Sequence, residues 1–261
     1  MTPESEPRLQ LAEPLPAGPT CRVLSRTAGV ERLLAESADE HLVVLLVPLA
    51  GGDLKTALAA QRLRRDRITI VRLGLPGIAG RHLERVVRAA AARGWHPPEL
   101  AALAGELERH AEVDLVAPSS SLAPFAGPRT RLRRGAVRVH WADGHWSREA
   151  ASPDAVEQGL HDALARDRDC AIAVSGRGVP AEWVALARRS REQQVTVAVH
   201  ANGLATVLGG GWAAEVLSGP PLDESALSML RERIVAAPRC GWCGTPVPGR
   251  SCVRCAPGLG T

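Results

Sequence analysis

Short runs of aliphatic and β-branched residues alternate along the chain with longer stretches in which apolar residues recur at helical spacing. Near-continuous apolar runs of this length are typical of strands that are covered on both faces, as in a parallel sheet. The pattern predicts strands at 41–49, 68–75, 113–118, 136–141, 170–176 and 195–200.

The stretches between these strands have the apolar spacing of amphipathic helices. Ser152, Pro153 and Asp154 form a typical helix start, with an acidic residue in the first turn. Alternation of strands and helices predicts an α/β fold with right-handed crossovers and a mostly parallel sheet. The predicted helices are 28–38, 54–65, 79–94, 97–110, 153–166, 180–193, 205–217 and 222–236.

Two parts of the chain resemble each other. Residues 47–71 align without a gap with residues 174–198, and each copy has a strand, a glycine-containing loop, an arginine-rich helix and a strand. A duplication explains this similarity, and so does chance in a chain of biased composition. With either explanation we expect two α/β lobes of Rossmann-like (PIN/NYN-like) type, and a duplication would make them related.

The composition of the connecting segments sets the expected domain boundaries. A segment rich in Ser, Pro, Gly and Arg is a typical linker, and the Pro and Glu content of the first residues is typical of a disordered leader. The expected division is a leader at 1–20, a first α/β lobe at 21–125, a linker at 126–134, a second lobe at 135–237, and a zinc ribbon with a tail at 238–261.

Composition and charge limit the possible partners only loosely. The chain has 261 residues, a formal net charge of +4 and a single lysine, so almost all its positive charge is arginine. This usage suggests GC-rich coding, as in many bacteria. The small excess of charge permits an acidic partner without requiring one. No apolar run reaches membrane-spanning length and no signal peptide is evident, so we expect a cytoplasmic protein without a membrane partner.

Cysteines are concentrated near the end of the chain. Cys240, Cys243, Cys252 and Cys255 follow the spacing C-x2-C, eight residues, C-x2-C. Two such knuckles supply four thiolates to one tetrahedral ion, which suits a structural Zn2+ with no open coordination position. Two disulfides or a redox pair are the alternatives, although a reducing compartment favours metal.

The residues 238–257 resemble a short four-cysteine zinc ribbon, with a CxxCG first knuckle. Cys21 and Cys170 lie among apolar residues far from this cluster. We expect both of them to be small core residues.

Three further stretches occur in the order of a known family. They are "AVRVHWADGHW" (136–146), "SPDAVEQGLHDAL" (152–164) and "DCAIAVSGRGVPAEWVALARRSREQQVTVAVH" (169–200). Together they resemble the NYN branch of the PIN-like ribonucleases over about residues 135–217. The resemblance implies a PIN-like Rossmann fold and metal-dependent cleavage of RNA.

The acids that such chemistry needs are only partly present. The loop after Ser175 and Gly176 has Arg177 where the family has acids, and Asp53 is the only acid in the segment that directly follows the strand at 41–49. Asp154 and Asp162 remain as catalytic candidates. They are eight residues apart on one broad helix face, where they could help hold Mg2+ or Mn2+. The alternative is that both are solvated helix acids.

Other side chains are weaker candidates. Asp143 and Glu182 are further acids near the predicted helix, and His140 and His145 lie across a predicted turn from each other. A basic run within the linker, and Arg177 after the strand at 170–176, could contact phosphate, or the run could be a solvated surface in an arginine-rich chain. The candidate phosphate contacts are Arg129, Arg131, Arg133, Arg134 and Arg177.

Three functions follow from these patterns. The first is a nucleic-acid-associated, RNA-directed protein whose NYN-like lobe lacks key catalytic acids. The second is a protein-interaction scaffold that docks through its zinc ribbon. The third is a metal-dependent ribonuclease that uses Asp154 and Asp162, and only this one makes the chain an enzyme.

Overall fold

The structure is a computed structural model that describes residues 21–24, 41–46, 61, 68–122, 136–149, 151–193, 195–200, 204–208, 211–249 and 251–255. The chain divides into two compact units. The first, here the six-stranded unit, contains the described parts of 77–79 and 110–222. The second, here the three-stranded unit, contains the described parts of 13–76, 80–109 and 223–261. The domain boundaries predicted from the sequence stay a prediction.

The three-stranded unit is built on a parallel sheet. Its strands β1 (Cys21–Leu24), β2 (His41–Leu46) and β3 (Ile68–Arg72) lie in the order β1-β2-β3. The side chains of Leu42 to Leu45 are completely buried. This continuous burial explains the unbroken apolar run of β2 and confirms the predicted parallel pairing here.

Three longer helices accompany these strands in the chain: α1 (Gly77–Ala92), α2 (Pro97–His110) and α6 (Glu224–Ala236). Asp223 caps the start of α6, since its carboxylate accepts a hydrogen bond of 2.7 Å from the backbone N–H of Ala226. Within α2, the Leu side chains at 100, 103 and 107 are buried. They form the apolar face that the helical spacing predicted.

The six-stranded unit has a mixed sheet in the order β6-β5-β4-β9-β7-β8. Strands β7 and β8 pair in parallel, whereas the pairs β4–β5, β4–β9, β5–β6 and β7–β9 are antiparallel. The prediction of a mostly parallel sheet is therefore wrong for this unit. Its strands are β4 (Glu112–Pro118), β5 (Ala136–Ala142), β6 (His145–Glu149), β7 (Asp169–Gly176), β8 (Thr196–His200) and β9 (Trp212–Gly219).

A tight hairpin accounts for one of these antiparallel pairs. Asp143 and Gly144 connect β5 and β6, with φ angles of 51° and 83°. Positive φ at both central residues is the signature of a type I′ turn, for which Asp-Gly is a preferred sequence. The strand β6 was missing from the sequence prediction although its turn residues were visible.

Helices α3 (Pro153–Ala165) and α4 (Ala181–Glu192) pack against this sheet. Ser152 caps α3, since its hydroxyl accepts a hydrogen bond from the backbone N–H of Ala155. Trp183 of α4 is buried beside Trp212 of β9. Cys170 is also buried in this core, as predicted.

The helix predicted at 205–217 is wrong. A short helix α5 (Leu204–Val207) is followed by β9, which lies between β4 and β7 with all its residues buried. Ala and Glu in this stretch favour a helix, but burial in the middle of a sheet overrides so small a propensity.

The remaining predicted elements agree with the structure to within a few residues where the structure describes them. The helices expected at 28–38 and 54–65 lie outside the described residues, Gln61 excepted, and so does most of the first copy of the suspected repeat. In the described parts, the two sheets differ in strand number and direction, so they do not show two similar lobes. None of the helices described combines the length and the apolar character needed to cross a membrane.

Candidate functional site

The four clustered cysteines meet at one point. Their sulfur atoms all lie within 4.8 Å of one another, with 3.5 Å between those of Cys243 and Cys252 and 3.9 Å between those of Cys240 and Cys255. A tetrahedral zinc with Zn–S bonds of about 2.3 Å holds its sulfurs about 3.8 Å apart. A disulfide needs about 2.05 Å. This arrangement therefore suits a metal ion and not a pair of disulfides.

The backbone of the first knuckle is held by its own hydrogen bonds. The N–H of Gly244 donates to the carbonyl of Cys240, and the N–H of Cys240 donates to the carbonyl of Thr245, both at 2.9 Å. Gly244 has a φ of +71°, a conformation that glycine adopts at low cost. The CxxCG sequence thus fixes the direction in which the first two sulfurs point.

The surroundings of Cys243 favour its thiolate. Burial alone would raise the pKa of Cys243, but hydrogen bonds with Thr245 and the neighbouring thiols lower it to about 6. Burial also raises the pKa of Cys255, and there the neighbouring sulfurs raise it further. Because metals bind thiolates, a lowered pKa of Cys243 favours metal binding there.

The cysteine segment is anchored to its own unit. Val253 lies against Gly105 of α2, where a Cβ at position 105 would come within 3.0 Å of a Val253 methyl group. The guanidinium group of Arg254 donates to the carbonyl of Ile68 at 3.4 Å. A metal here would therefore fasten residues 239–255 to α2 and β3.

The candidate catalytic acids that the structure describes belong to the six-stranded unit. Asp154 and Asp162 are both exposed on α3, and Asp162 accepts a hydrogen bond of 2.8 Å from Gln158. Asp143 is exposed in the β5–β6 turn, and Glu182 is exposed at the start of α4. Over the described ranges, the four cysteines are the only metal-competent group of three or more side chains. Asp53 lies outside those ranges.

The candidate phosphate contacts are mostly outside the described residues, since 129, 131, 133 and 134 fall in the undescribed stretch before β5. Arg177 is exposed in the loop after β7, and its backbone N–H donates to the carbonyl of Gly211. The hydroxyl of Ser175 is buried and accepts a hydrogen bond of 3.2 Å from the N–H of Ala205. In this structure the Ser-Gly loop therefore makes hydrogen bonds to Gly211, just before β9, and to Ala205 of α5.

His140 has a partner that the sequence did not indicate. Its Nδ1 lies 2.8 Å from the carboxylate of Asp114, directly opposite on β4. The guanidinium group of Arg138 donates two hydrogen bonds to the same carboxylate, of 2.7 and 3.0 Å. Asp143 and His145, the partners considered from the sequence, are exposed.

The environment of Asp114 stabilises its charged form. Burial alone would raise the pKa of Asp114, but the hydrogen bonds and charges of His140 and Arg138 outweigh burial and lower it. Asp114 and Arg138 are both almost completely buried. Asp114 on β4 and Arg138 on β5 are 24 residues apart in the chain, and their ion pair connects the two strands.

A second buried carboxylate fixes the start of α1. Glu215 lies in the middle of β9 and is 1% exposed, and it accepts a hydrogen bond of 2.6 Å from the N–H of Ile78. Gly77 has a φ of +61°, and a Cβ there would overlap the Glu215 carboxylate. Position 77 therefore requires glycine both for its backbone and for space.

Replacing Gly77 with alanine is expected to destabilise the protein more than the same change at Gly94. Gly94 also has positive φ, +74°, but nothing lies within 4 Å of its missing Cβ. A left-handed alanine costs about 1–2 kcal/mol, and displacing a buried, hydrogen-bonded carboxylate adds about 1–3 kcal/mol. Urea unfolding of both variants measures the difference, and equal losses would contradict this packing.

The outer side of α4 forms an open groove. It is lined by Val179, Ala181, Val184, Ala185, Arg188 and Arg189. The groove thus joins an apolar wall to two guanidinium groups.

Fold and site together define a two-unit α/β protein with four clustered cysteines that could hold a metal ion. No family model matches the sequence, and no curated protein matches it significantly. Solved structures do share its fold. A DegV family protein from Corynebacterium glutamicum aligns with a TM-score of 0.56 and 14% identity, over 77% of this chain and 84% of that one.

Two further structures of the same fold are described by their ligand. A fatty-acid-binding DegV family protein from Thermus thermophilus has a TM-score of 0.52 and 16% identity, over 75% of this chain and 78% of that one. A stearic acid-binding protein from Eubacterium ventriosum has a TM-score of 0.52 and 13% identity, over 74% and 75%. At these identities the likeness establishes the fold.

The expected NYN or PIN-like identity of residues 135–217 is wrong, because the structural neighbours have the DegV fold. The predicted RNA-directed function and the ribonuclease alternative depended on that resemblance and are contradicted with it. The expected partners, RNA or a protein docked on the ribbon, are likewise contradicted by neighbours described as binding fatty acids. A strand, Ser-Gly loop, helix and strand in sequence is common to many α/β folds, which explains the error.

Proposed function

We propose that this protein binds a long-chain fatty acid or a lipid with a similar carboxylate head. The observation that supports it is the fold shared with the stearic acid-binding protein of Eubacterium ventriosum and the fatty-acid-binding protein of Thermus thermophilus, over 74% and 75% of this chain. Carriers of this kind act by burying an apolar tail, so their function needs no catalytic acids.

Calorimetric titration with hexadecanoate, kept below its micelle concentration, tests the proposal. We expect saturable binding of one ligand per chain, with a negative heat-capacity change from burial of the alkyl tail. Butanoate has the same head group and almost no tail, so it serves as the control and should give no measurable binding. Absence of saturable heat with hexadecanoate would rule the proposal out.

We also propose that the four cysteines hold Zn2+ as a structural ion. Four soft thiolate donors in a tetrahedral spacing favour zinc, and they leave no coordination position for a substrate. The packing of Val253 on Gly105 supports the same role, because the ion would fix this segment on α2.

A further inference from the structure

The four clustered cysteines differ in their access to solvent. Cys255 is exposed and Cys252 is buried, whereas Cys240 and Cys243 are half-buried. In a zinc site all four sulfurs are thiolates, because metals bind the deprotonated form. Oxidation of a cysteine requires a thiolate that the oxidant can reach. With the ion bound, access therefore decides which sulfur reacts first, and it favours Cys255.

The hydrogen bonds of the sulfur atoms also favour Cys255 as the reactive one. The sulfur of Cys243 is hydrogen-bonded to the hydroxyl group and the backbone N–H of Thr245. The sulfur of Cys252 accepts hydrogen bonds from the backbone N–H groups of Arg254 and Cys255. Within the described part of the chain, the Cys255 sulfur has hydrogen bonds only with other thiols. Because donors that stabilise a thiolate also weaken it as a nucleophile, Cys255 should be more reactive than Cys243 or Cys252.

A second thiol lies close enough to capture an oxidised Cys255. The sulfur of Cys240, in the first knuckle, is 3.9 Å from that of Cys255, in the second. A disulfide between them shortens this distance to about 2.05 Å. The bond would remove two of the four ligands, and two sulfurs cannot complete a tetrahedral site. Oxidation of this pair is therefore incompatible with a bound ion.

We propose that the cysteine site is also an oxidative modification site, where a hydroperoxide joins Cys255 to Cys240 and displaces the metal ion. This inference rests on the proposed structural zinc and adds a reversible modification to it. A disulfide that thiols can reduce again makes the change a switch and not damage.

The reaction has two steps, both on the side chains of this protein. The thiolate of Cys255 attacks the terminal oxygen of the hydroperoxide, the O–O bond breaks, and the alkoxide that leaves takes a proton from solvent. The thiolate of Cys240 then attacks the sulfur of the sulfenic acid at Cys255, and hydroxide leaves and is protonated. In total the two sulfurs lose two electrons, the peroxide is reduced to an alcohol and water, and two protons are consumed.

Loss of the ion should loosen the contacts of the cysteine segment with α2. Val253 packs on Gly105, and one helical turn further the guanidinium group of Arg109 occupies the space that a Cβ at position 249 would need. Both contacts depend on the shape that the four ligands give to residues 239–255. We therefore expect faster hydrogen exchange across this segment in the oxidised chain than in the zinc-bound chain.

Peptide mapping of the full chain tests the proposed disulfide. Zinc-loaded protein is treated with hydrogen peroxide, its free thiols are blocked with iodoacetamide under denaturing conditions, and it is digested with trypsin, which cuts after arginine. The cuts place Cys240 and Cys243 in the peptide 240–250, Cys252 in 251–254 and Cys255 in 255–261. We expect a link between 240–250 and 255–261, with fragmentation placing the bond at Cys240.

The same sample contains its own control and a second readout. Cys170 falls in the peptide 169–177 and is buried, so it should remain a free thiol and be alkylated. Zinc release, measured with a coloured chelator, should reach about one ion per chain as the link forms. Dithiothreitol with added zinc should reverse both changes.

Two single variants test which sulfur reacts first. Cys255→Ser should lose the fast phase of peroxide consumption, because it removes the exposed thiolate. Cys252→Ser is the matched control, since it also removes one ligand but keeps Cys240 and Cys255, and it should still form their disulfide. Equal rates in the two variants would show that Cys255 is not the site of attack.

The outcomes separate this inference from the proposed zinc. If the purified chain holds no zinc, the proposed structural ion fails. If the chain holds zinc but peroxide leaves it in place, only this inference fails. The same holds if peroxide joins cysteines within one C-x2-C pair, or leaves a sulfinic acid at Cys255 without a link to Cys240. A link between Cys240 and Cys255 that forms together with zinc release supports it.

Discussion

Replacing both Cys243 and Cys252 with serine is expected to abolish metal binding and to unfold residues 239–255. Two sulfurs cannot complete a tetrahedral site, and in small zinc modules the metal supplies the folding free energy, about 10–16 kcal/mol. The segment has little core of its own: among its buried side chains are Thr245 and Cys252, the latter a ligand. Metal analysis should find about one zinc per wild-type chain and almost none in the variant.

Amide hydrogen exchange measures whether the same double variant loses the structure of the cysteine segment. Amides that are hydrogen-bonded in the knuckle, such as those of Cys240 and Gly244, should exchange as in an unfolded chain once the metal is lost. Cys170→Ala is the control, because this cysteine lies in the core of the other unit and burial raises the pKa of its thiol to about 11. A serine variant that kept its metal and its protection would refute the assignment.

Removing the carboxylate of Asp114 is expected to destabilise the six-stranded unit by about 3–5 kcal/mol, because the buried, charged Arg138 would lose both of its hydrogen bonds to that carboxylate. The matched control is Glu157→Ala. It removes an equally well-aligned arginine partner on the surface, where water replaces the lost contact. Urea unfolding at neutral pH measures both variants, and equal effects would contradict the burial argument.

The Asp114 contribution also predicts a pH dependence. The pKa of Asp114 is lower in the folded protein than in the unfolded chain, where it is about 4. The ionised carboxylate therefore stabilises the fold fully at pH values above the unfolded pKa, and this stabilisation is lost as the pH falls through the folded pKa. The difference in unfolding free energy between the wild type and Asp114→Ala should therefore shrink below about pH 4. A difference that stays constant on acidification would show that Asp114 is not ionised in the fold.

Local features of this protein were predictable from sequence, and features that depend on distant partners were not. The cysteine spacing is local, so it indicated that the four thiols would cluster, and the apolar runs of β2 and β7 are long enough to identify strands. The sequence could not show that Asp114 meets Arg138 and His140, because strand pairing brings them together. An aspartate within the apolar run "VDLVAP" was the available signal.

Two incorrect predictions, one of a helix and one of a nuclease motif, arose because local sequence does not show which distant segments will pair. The sequence predicts a helix over β9 because Ala and Glu favour one, whereas the central place of the strand in the sheet decides its conformation. The Asp143-Gly144 pair was interpreted as part of a nuclease motif, although it is also a preferred hairpin turn. The fold class followed from alternating strands and helices, but that alternation did not distinguish a DegV-like arrangement from a PIN-like one.

The most direct test of lipid binding is the dependence of affinity on chain length. Saturated fatty acids of 8, 10, 12 and 14 carbons share one head group, and each fully buried methylene contributes about 0.8 kcal/mol, or about fourfold in affinity. We predict a steady fall in the dissociation constant, approaching fourfold per methylene, across the series. A dissociation constant that does not change with chain length would contradict a buried tail, and with it the proposal that this protein binds fatty acids.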